Sequence, residues 1–477
     1  MIKEGSNMQL SLSNKLLTGF LGSISIILAI YSTSIPFLYV AILFIFLMVV
    51  SISLSIEKPS WYFFLPALFI YQIYVPIGFS ITSLVVLLFI LFAKEVINNN
   101  ILWYFKNQYS FKLYSLMIIV MTSAIIYSPN RFLGVKLVYF SLVGLLSLCL
   151  GYIFIRKKLS VSKILNSLII FGLPLATLNI IFLLLPDLEL DFLNSGIASL
   201  FIDPTTLRML NNGDISNNIL DPYKAGTFFI NTNIASVYFG FFFCISFSQM
   251  LSKWKWRYVI CTVLFCGAIL ATQSRAGLLA LIIVVPIFIL LKFSVKSLVR
   301  LLLLVSTLAT IIFSIMPASI LNNLTSRLNI NAVENDPRVL IWEFTLQKMI
   351  EHPFLGLGFG GWDAEFPGYA IRMGLDPSFP PHNIFVIVWT WAGLPCLLLF
   401  VLFMINSLVK ILRKYLIDKN IFHLSGVGCV IFVVIQGMFD NFFLHNYSIS
   451  TLFFFLMGLL LYEEKSEVKK PSEIRSA

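Results

Sequence analysis

The sequence predicts an all-α polytopic integral membrane protein with about 12–14 transmembrane helices and two long outer loops. Three observations predict it. The 477-residue chain is 59% apolar and only 12% charged, with a mean hydropathy of +0.93; soluble domains carry about 25% charged residues. Apolar runs near the roughly 20 residues needed to cross a bilayer recur along most of the chain. Lysine and arginine then collect in alternate breaks between the runs, as membrane insertion requires.

Taken in order, the runs give candidate helices at 16–33, 36–56, 61–77, 79–93, 113–129, 133–155, 164–186, 227–249, 258–273, 276–291, 301–317, 383–406, 422–440 and 447–462. The 61–93 pair is short, is interrupted by Pro66 and Pro76, and is read as one span or two. With the N-terminus inside, 24 of the 33 basic residues fall on inner segments, and every inner loop holds at least one. The positive-inside rule then puts both termini on the inner side. The chain divides into N-terminal transmembrane helices (1–186), a first long loop (187–226), a second set of helices (227–317), a large outer loop (318–382), C-terminal helices (383–462) and an inner tail (463–477).

A net charge of +11 is thus a record of orientation, and nucleic acid is not an expected partner. The six cysteines, at 149, 244, 261, 266, 396 and 429, all lie in apolar stretches without metal-ligand spacing and are read as packing residues. No cleavable signal peptide is evident, since the first apolar stretch lacks a small-residue cleavage site and further spans follow it.

Nine basic residues sit on the outer side against the bias: Arg131, Lys136, Arg208, Lys224, Arg275, Arg327, Arg338, Lys348 and Arg372. They are candidates for binding an anion, or for pairing with the 14 of 22 acidic residues that also fall outside. Loops as long as the two outer ones are usually functional or disordered. The larger contains an amphipathic stretch, Arg338 to His352, in which Val339, Trp342, Phe344, Leu346 and Met349 suit a membrane or other helices. The run "GLGFGGW" follows it and permits close backbone approach. It lacks the strand–turn–helix setting and the GK[ST] ending of a phosphate loop.

Three positions carry the chemistry. "TQSRAGLLAL" puts Arg275 at the start of an apolar helix, "DPRVLIW" puts Arg338 at the start of the amphipathic stretch, and "PPHNIF" puts His382 before another transmembrane helix. The charge-derived topology sends all three to one face. Helix N-termini attract phosphate through unpaired N–H groups and a positive dipole end, and arginine adds a planar fork that matches phosphate oxygens. The same dipole disfavours an imidazolium, which inclines His382 to its neutral, base-competent form. A base and two diphosphate-binding arginines are what glycosyl transfer from a lipid diphosphate needs: the acceptor hydroxyl loses a proton, and the leaving diphosphate needs charge stabilisation. Each residue also has an ordinary alternative: interfacial for His382, helix-capping or snorkelling for Arg275, and a cation–π pair with Trp342 for Arg338.

Between about 226 and 400 the chain resembles the O-antigen ligase and polymerase superfamily of bacterial envelope glycosyltransferases. The matching pieces, in order, are "GTFFINTNIAS", "TQSRAGLLAL", "RVLIWEFTLQKMIEHPFLGLGFGGW" and "HNIFVIVWTWAGLP". Where the family continues with a glycine-rich ending, this chain has "AGLPC", with Pro395 and Cys396. The resemblance implies a GT-C-like fold, an undecaprenyl-diphosphate-linked glycan donor, a glycolipid or glycan acceptor, a periplasmic active site in the bacterial inner membrane, and no metal or other cofactor. It assigns diphosphate binding to Arg275 and Arg338 and the general base to His382. Arg208, Asn231, Asn233, Arg372 and Asp440 form a second rank. Asn231 and Asn233 suit hydrogen bonding to sugar or helix capping, while Asp440 and His445 occupy a short outer turn bordering the acceptor path or merely solvated.

Three acceptors fit this chemistry: lipid A-core for an O-antigen ligase, a second lipid-linked repeat for an O-antigen or capsule polymerase, and a protein side chain for an oligosaccharyltransferase. The ligase is preferred because no acceptor-recognition domain follows the last helix. A transporter would place ionisable groups at mid-membrane, whereas the predicted span interiors hold essentially none.

Overall fold

The structure, a computed structural model, describes residues 58–72, 74–77, 79–98, 100–196, 198–202, 207, 223–293, 299 and 337–463. The candidate spans 16–33, 36–56 and 301–317, and the second-rank residue Arg208, lie outside them.

The chain is a helical membrane bundle. Its first described helix, α1 (Lys58–Ile70), is followed by an antiparallel hairpin of β1 (Tyr74–Ile77) and β2 (Phe79–Thr82), then by α2 (Ser83–Ile97), α3 (Asn100–Asn107) and α4 (Tyr109–Ala124). Next come α5 (Arg131–Arg156), α6 (Val161–Leu184), α7 (Pro186–Leu193) and α8 (Ala198–Phe201). The central group is α9 (Thr232–Lys253), α10 (Trp256–Ala271) and α11 (Arg275–Lys292). A pair of shorter helices, α12 (Pro337–Glu351) and α13 (Gly361–Arg372), precedes α14 (Ile384–Asp418), α15 (Ile421–Gly437), a 3-10 turn (Phe442–Leu444) and α16 (Tyr447–Leu461).

Among the described residues five helices, α5, α6, α9, α11 and α14, are long and apolar enough to cross a membrane, or six if α2 and α3 count as one bent crossing. Shorter apolar helices, including α4, α10 and α15, pack among them. Burial separates the centre from the lipid-facing shell. The apolar windows of α9 and α5 are 83% and 78% buried, against 33% in α11 and 39% in α6. Phenylalanine fills the centre: Phe242 stacks on Phe265, Phe69 on Phe455, and Phe454 lies against Tyr114. All six cysteines are free, and five are buried as packing groups.

The pair of spans expected at 61–77 and 79–93 does not form as drawn. The helix stops at Ile70, the chain crosses back as a hairpin with Tyr74 opposite Thr82, and a helix resumes at Ser83. Pro76 has no N–H for a helical bond, and the β-branched Val75, Ile77, Ile81 and Thr82 around it favour extended backbone. The buried Gln72 anchors the change of direction by donating to Thr451 Oγ1 on α16 at 3.0 Å.

The helix expected from 383 is longer and broken. α14 has non-helical backbone at Ala392 and Gly393, so that Ile384–Trp391 forms a separate first segment. The glycine-rich run is seated on that break. Leu357 N–H donates to Thr390 C=O at 2.9 Å, and Leu394 N–H donates to Pro353 C=O at 2.8 Å. On its other side Phe359 bridges to the α4–α5 turn, its N–H donating to Ser128 Oγ and its C=O accepting from Asn130 N–H. Gly356 and Gly393 both take left-handed backbone, with φ of 66° and 70°. A side chain on either would strike backbone: a Cβ on Gly356 would lie 2.2 Å from Trp389 O, and one on Gly393 2.0 Å from Phe354 O. The run is therefore a backbone clamp.

Candidate functional site

Five helix ends converge at one end of the bundle. α9 begins after Asn231, whose side chain caps it by accepting from Asn233 N–H at 2.9 Å. α11 begins after Ser274, whose Oγ accepts from Gly277 N–H; Arg275 is the first helical residue and is exposed. α14 begins after Asn383, whose side chain accepts from Phe385 and Val386 N–H. Asn383 also donates to Met438 C=O at 3.1 Å, joining α14 to the end of α15. Arg338 lies in the first turn of α12, half-buried.

A polar network ties these ends together. Asn233 is its hub: Oδ1 accepts from Ser274 Oγ at 2.7 Å, and Nδ2 donates to Asp440 Oδ2 at 2.8 Å. Gln436, buried in the last turn of α15, donates to Asn233 C=O at 2.8 Å and to Ser274 Oγ at 3.3 Å. The other Asp440 oxygen accepts from Asn441 N–H at 2.7 Å. Asp440 is only 5% exposed. That burial pushes its carboxyl above the ordinary carboxylate range, opposed by the Asn233 bond and by the charges of His382 and Arg338. Asp440 therefore sits within electrostatic reach of two of the three principal candidates, while Asn233 and Ser274 lead to the third.

His382 has left-handed backbone, φ 49°, immediately before the Asn383 cap. Its ring meets Phe379 edge to face at 6.1 Å, and Phe379 C=O accepts from Trp362 Nε1 of α13 at 2.9 Å. The two prolines before it, Pro380 and Pro381, restrict the approach to a stiff extended path. The histidine is thus held off the helix proper and turned by its backbone.

Other expectations meet different outcomes. Arg372 is exposed at the end of α13, where its charge acts on Tyr369; among the described residues no hydrogen bond or ion pair joins it to the network. Lys348 is held by Glu351 and Glu365, each at 2.7 Å, the acidic pairing anticipated for part of the outer basic set. Phe344 takes the second of its two expected places, against another helix: it packs with Trp362, Phe366 and Tyr369 in the small core between α12 and α13. His445 lies against Trp391 with Nε2 sealed from solvent, although the residue keeps some surface. Burial and the nearby Lys136 charge lower its pKa to about 4.

Ser274 and Gln436 were not singled out in the sequence. Serine directly before a helix is an ordinary cap signal, legible in "TQSRAG". Gln436 is a lone amide at the end of an apolar run, and nothing local distinguishes it. Glu189 of α7 was missed likewise: buried, it accepts from Gly226 and Thr227 N–H at 2.9 and 3.1 Å and anchors the chain leading into α9.

Fold and site together define a multi-pass membrane protein with a cationic and hydrogen-bonding centre at one end of its helices. Residues 260–401, from α10 into α14, match the family model described as O-antigen ligase. The match places this stretch in the O-antigen ligase and polymerase superfamily and implies a glycosyltransferase-like enzyme. It contains Arg275, Arg338 and His382, whereas Asn233, Gln436 and Asp440 lie outside it. No curated protein matches the chain.

Proposed function

We propose that this chain is an O-antigen ligase: it moves an undecaprenyl-diphosphate-linked glycan onto a hydroxyl of lipid A-core at the periplasmic face of the inner membrane, without a metal. One observation carries the reading. His382 and Arg338, from two separate parts of the chain, face one buried carboxylate, and the hydrogen-bond network from that carboxylate ends on the cap preceding Arg275.

In this mechanism Arg275 and Arg338 hold the diphosphate oxygens through their guanidinium forks. His382 accepts the proton of the acceptor hydroxyl as its oxygen attacks the anomeric carbon and the bond to the diphosphate oxygen breaks. The departing diphosphate is a stable anion, so the arginines need supply only charge stabilisation. Asp440 does not touch substrate in this scheme. It is a positioning residue, setting the field around His382 and Arg338 and holding Asn233.

The test uses the purified full chain and His382→Ala with an undecaprenyl-diphosphate oligosaccharide, candidate acceptors and EDTA, read by gel shift and mass spectrometry. Transfer to lipid A-core by the wild type, lost in a folded His382→Ala, is the expected result. Transfer only to a second lipid-linked repeat would make the chain a polymerase, and transfer only to a protein side chain an oligosaccharyltransferase. Equal turnover by both proteins would remove His382 from the mechanism. Flipping of the labelled lipid without transfer would make the chain a transporter.

A further inference from the structure

Helix α12 has three faces where a helix packed only for its own core needs two. One face is buried: Ile341 and Phe344 pack against α13, with the buried Thr345 beside them donating to Ile341 C=O. A second is polar and exposed: Glu343, Gln347 and Glu351, with Gln347 and Lys348 bonded to Glu351. The third is apolar and exposed. Val339, Trp342, Leu346 and Ile350 follow one another at spacings of three, four and four, which places them on a single stripe. Their exposures are 50%, 37%, 62% and 82%.

Single exposed apolar residues are ordinary, but a contiguous stripe of them marks an interaction surface. This stripe does not end with the helix. Phe354 and Leu355, just beyond it, are also exposed. Their backbone is fastened to the membrane body: Tyr127 donates to Leu355 C=O at 2.7 Å, and the flanking Pro353 and Leu357 bond to the break in α14. The elements that hold it carry the exposed apolar residues of the bundle's lipid-facing shell, Ile126 and Phe132 at the α4–α5 turn and Leu398 on α14. The α12 stripe is therefore followed in the chain by exposed apolar residues, Phe354 and Leu355, whose backbone is fastened to the same turn and helix that carry Ile126, Phe132 and Leu398. Lys348, the cation of this helix's middle, is drawn by Glu365 toward α13 and away from the stripe.

We propose that α12 is an interfacial helix that docks on the outer leaflet of the bilayer through the stripe Val339–Trp342–Leu346–Ile350. At about 1.5 Å per residue the twelve residues from Val339 to Ile350 offer a contact roughly 18 Å long, with the helix's polar edge turned to water. The bilayer, rather than another protein, is its partner. This inference stands without the glycosyl-transfer reading and is tested without an activity.

The experiment places single nitroxide labels on the full chain in phospholipid nanodiscs, at Leu346→Cys, Ile350→Cys, Glu343→Cys and Gln347→Cys. The unsubstituted protein serves as the blank for the native thiols. Accessibility is measured to oxygen, which concentrates in lipid, and to a water-soluble nickel chelate. The expected result is oxygen-dominated collision at 346 and 350 and nickel-dominated collision at 343 and 347. Nickel access at 346 and 350 equal to that at 347 would put the stripe in water and overturn the proposal. Low access to both reagents at 346 and 350 would mean that protein covers the stripe, a second copy or the chain between 294 and 336, and would overturn it equally. Labelled proteins that elute and melt as the unsubstituted one does establish that the positions tolerate the label.

Discussion

Replacing Gly356 with alanine isolates the clamp that joins the outer loop to the membrane body. Two costs arise there. The first is conformational: at φ 66° an L-residue pays roughly 1–2 kcal/mol that glycine does not. The second is steric: the new Cβ would lie 2.2 Å from Trp389 O, 2.7 Å from Gly393 N and 2.8 Å from Thr390 O. All three are backbone atoms, which cannot rotate aside, and overpacking of this kind costs about 1–3 kcal/mol more. The total is about 2–5 kcal/mol. Two other glycines separate the costs. Gly374 has φ 69° with nothing within 4 Å of its added Cβ, so Gly374→Ala carries the conformational cost alone. Gly196 has open space around it and no positive φ, so Gly196→Ala should be near neutral. Thermal unfolding of the purified proteins, followed by intrinsic fluorescence, should rank them Gly196→Ala, Gly374→Ala, Gly356→Ala in increasing loss. A Gly356→Ala midpoint equal to that of Gly374→Ala would mean that no backbone stands where the added carbon must go, and the clamp would be refuted.

Two further predictions concern the polar residues. Asp440→Asn keeps the size of the side chain but loses one of its two accepted hydrogen bonds, because an amide NH2 cannot accept, at a cost to stability of about 1.5–3 kcal/mol. The melting midpoint should fall, and transfer by the folded protein should fall by about 10–100-fold; unchanged transfer at all pH values would remove Asp440 as a positioning residue. His445 bears on stability. Its folded pKa of about 4 lies below the ordinary histidine value of about 6.5, so its contribution is fully present above pH 6.5 and is lost as pH falls toward 4. At about 1.4 kcal/mol per pKa unit this amounts to about 3 kcal/mol at most. The melting midpoint of the wild type should fall relative to that of His445→Gln as the pH is lowered from 7 to 4, and parallel curves would contradict the assignment.

The class and much of the helical framework of this protein are legible in its sequence. The membrane class and helices close to the runs at 113–129, 133–155, 164–186, 227–249, 258–273, 276–291, 383–406, 422–440 and 447–462 follow from apolar run length and loop charge, which are local properties, whereas the short helices α7, α8 and α13 carry no such signal. The hairpin at 74–82 was marked by Pro76 and its β-branched neighbours, yet the apolar run outweighed them because hydropathy does not distinguish a buried strand from a buried helix. Asn233 and Asp440 stood in the second rank because polar residues at helix ends are ordinarily caps or solvated turns. Their 2.8 Å bond spans more than two hundred residues, and no spacing rule reaches that far.

The sequence by itself determined that this is a multi-pass membrane protein, because transfer of apolar side chains into lipid depends on each run's own composition. It also determined that arginine and histidine stand at helix starts, because those starts follow from local breaks and caps. Only the tertiary structure decided that these starts meet. That required Gln436 and Asp440 to arrive beside Asn233 from the far end of α15, and the glycine run to lock backbone to backbone at the break in α14. Such contacts depend on how whole helices pack against one another, and packing is a property of the assembled bundle.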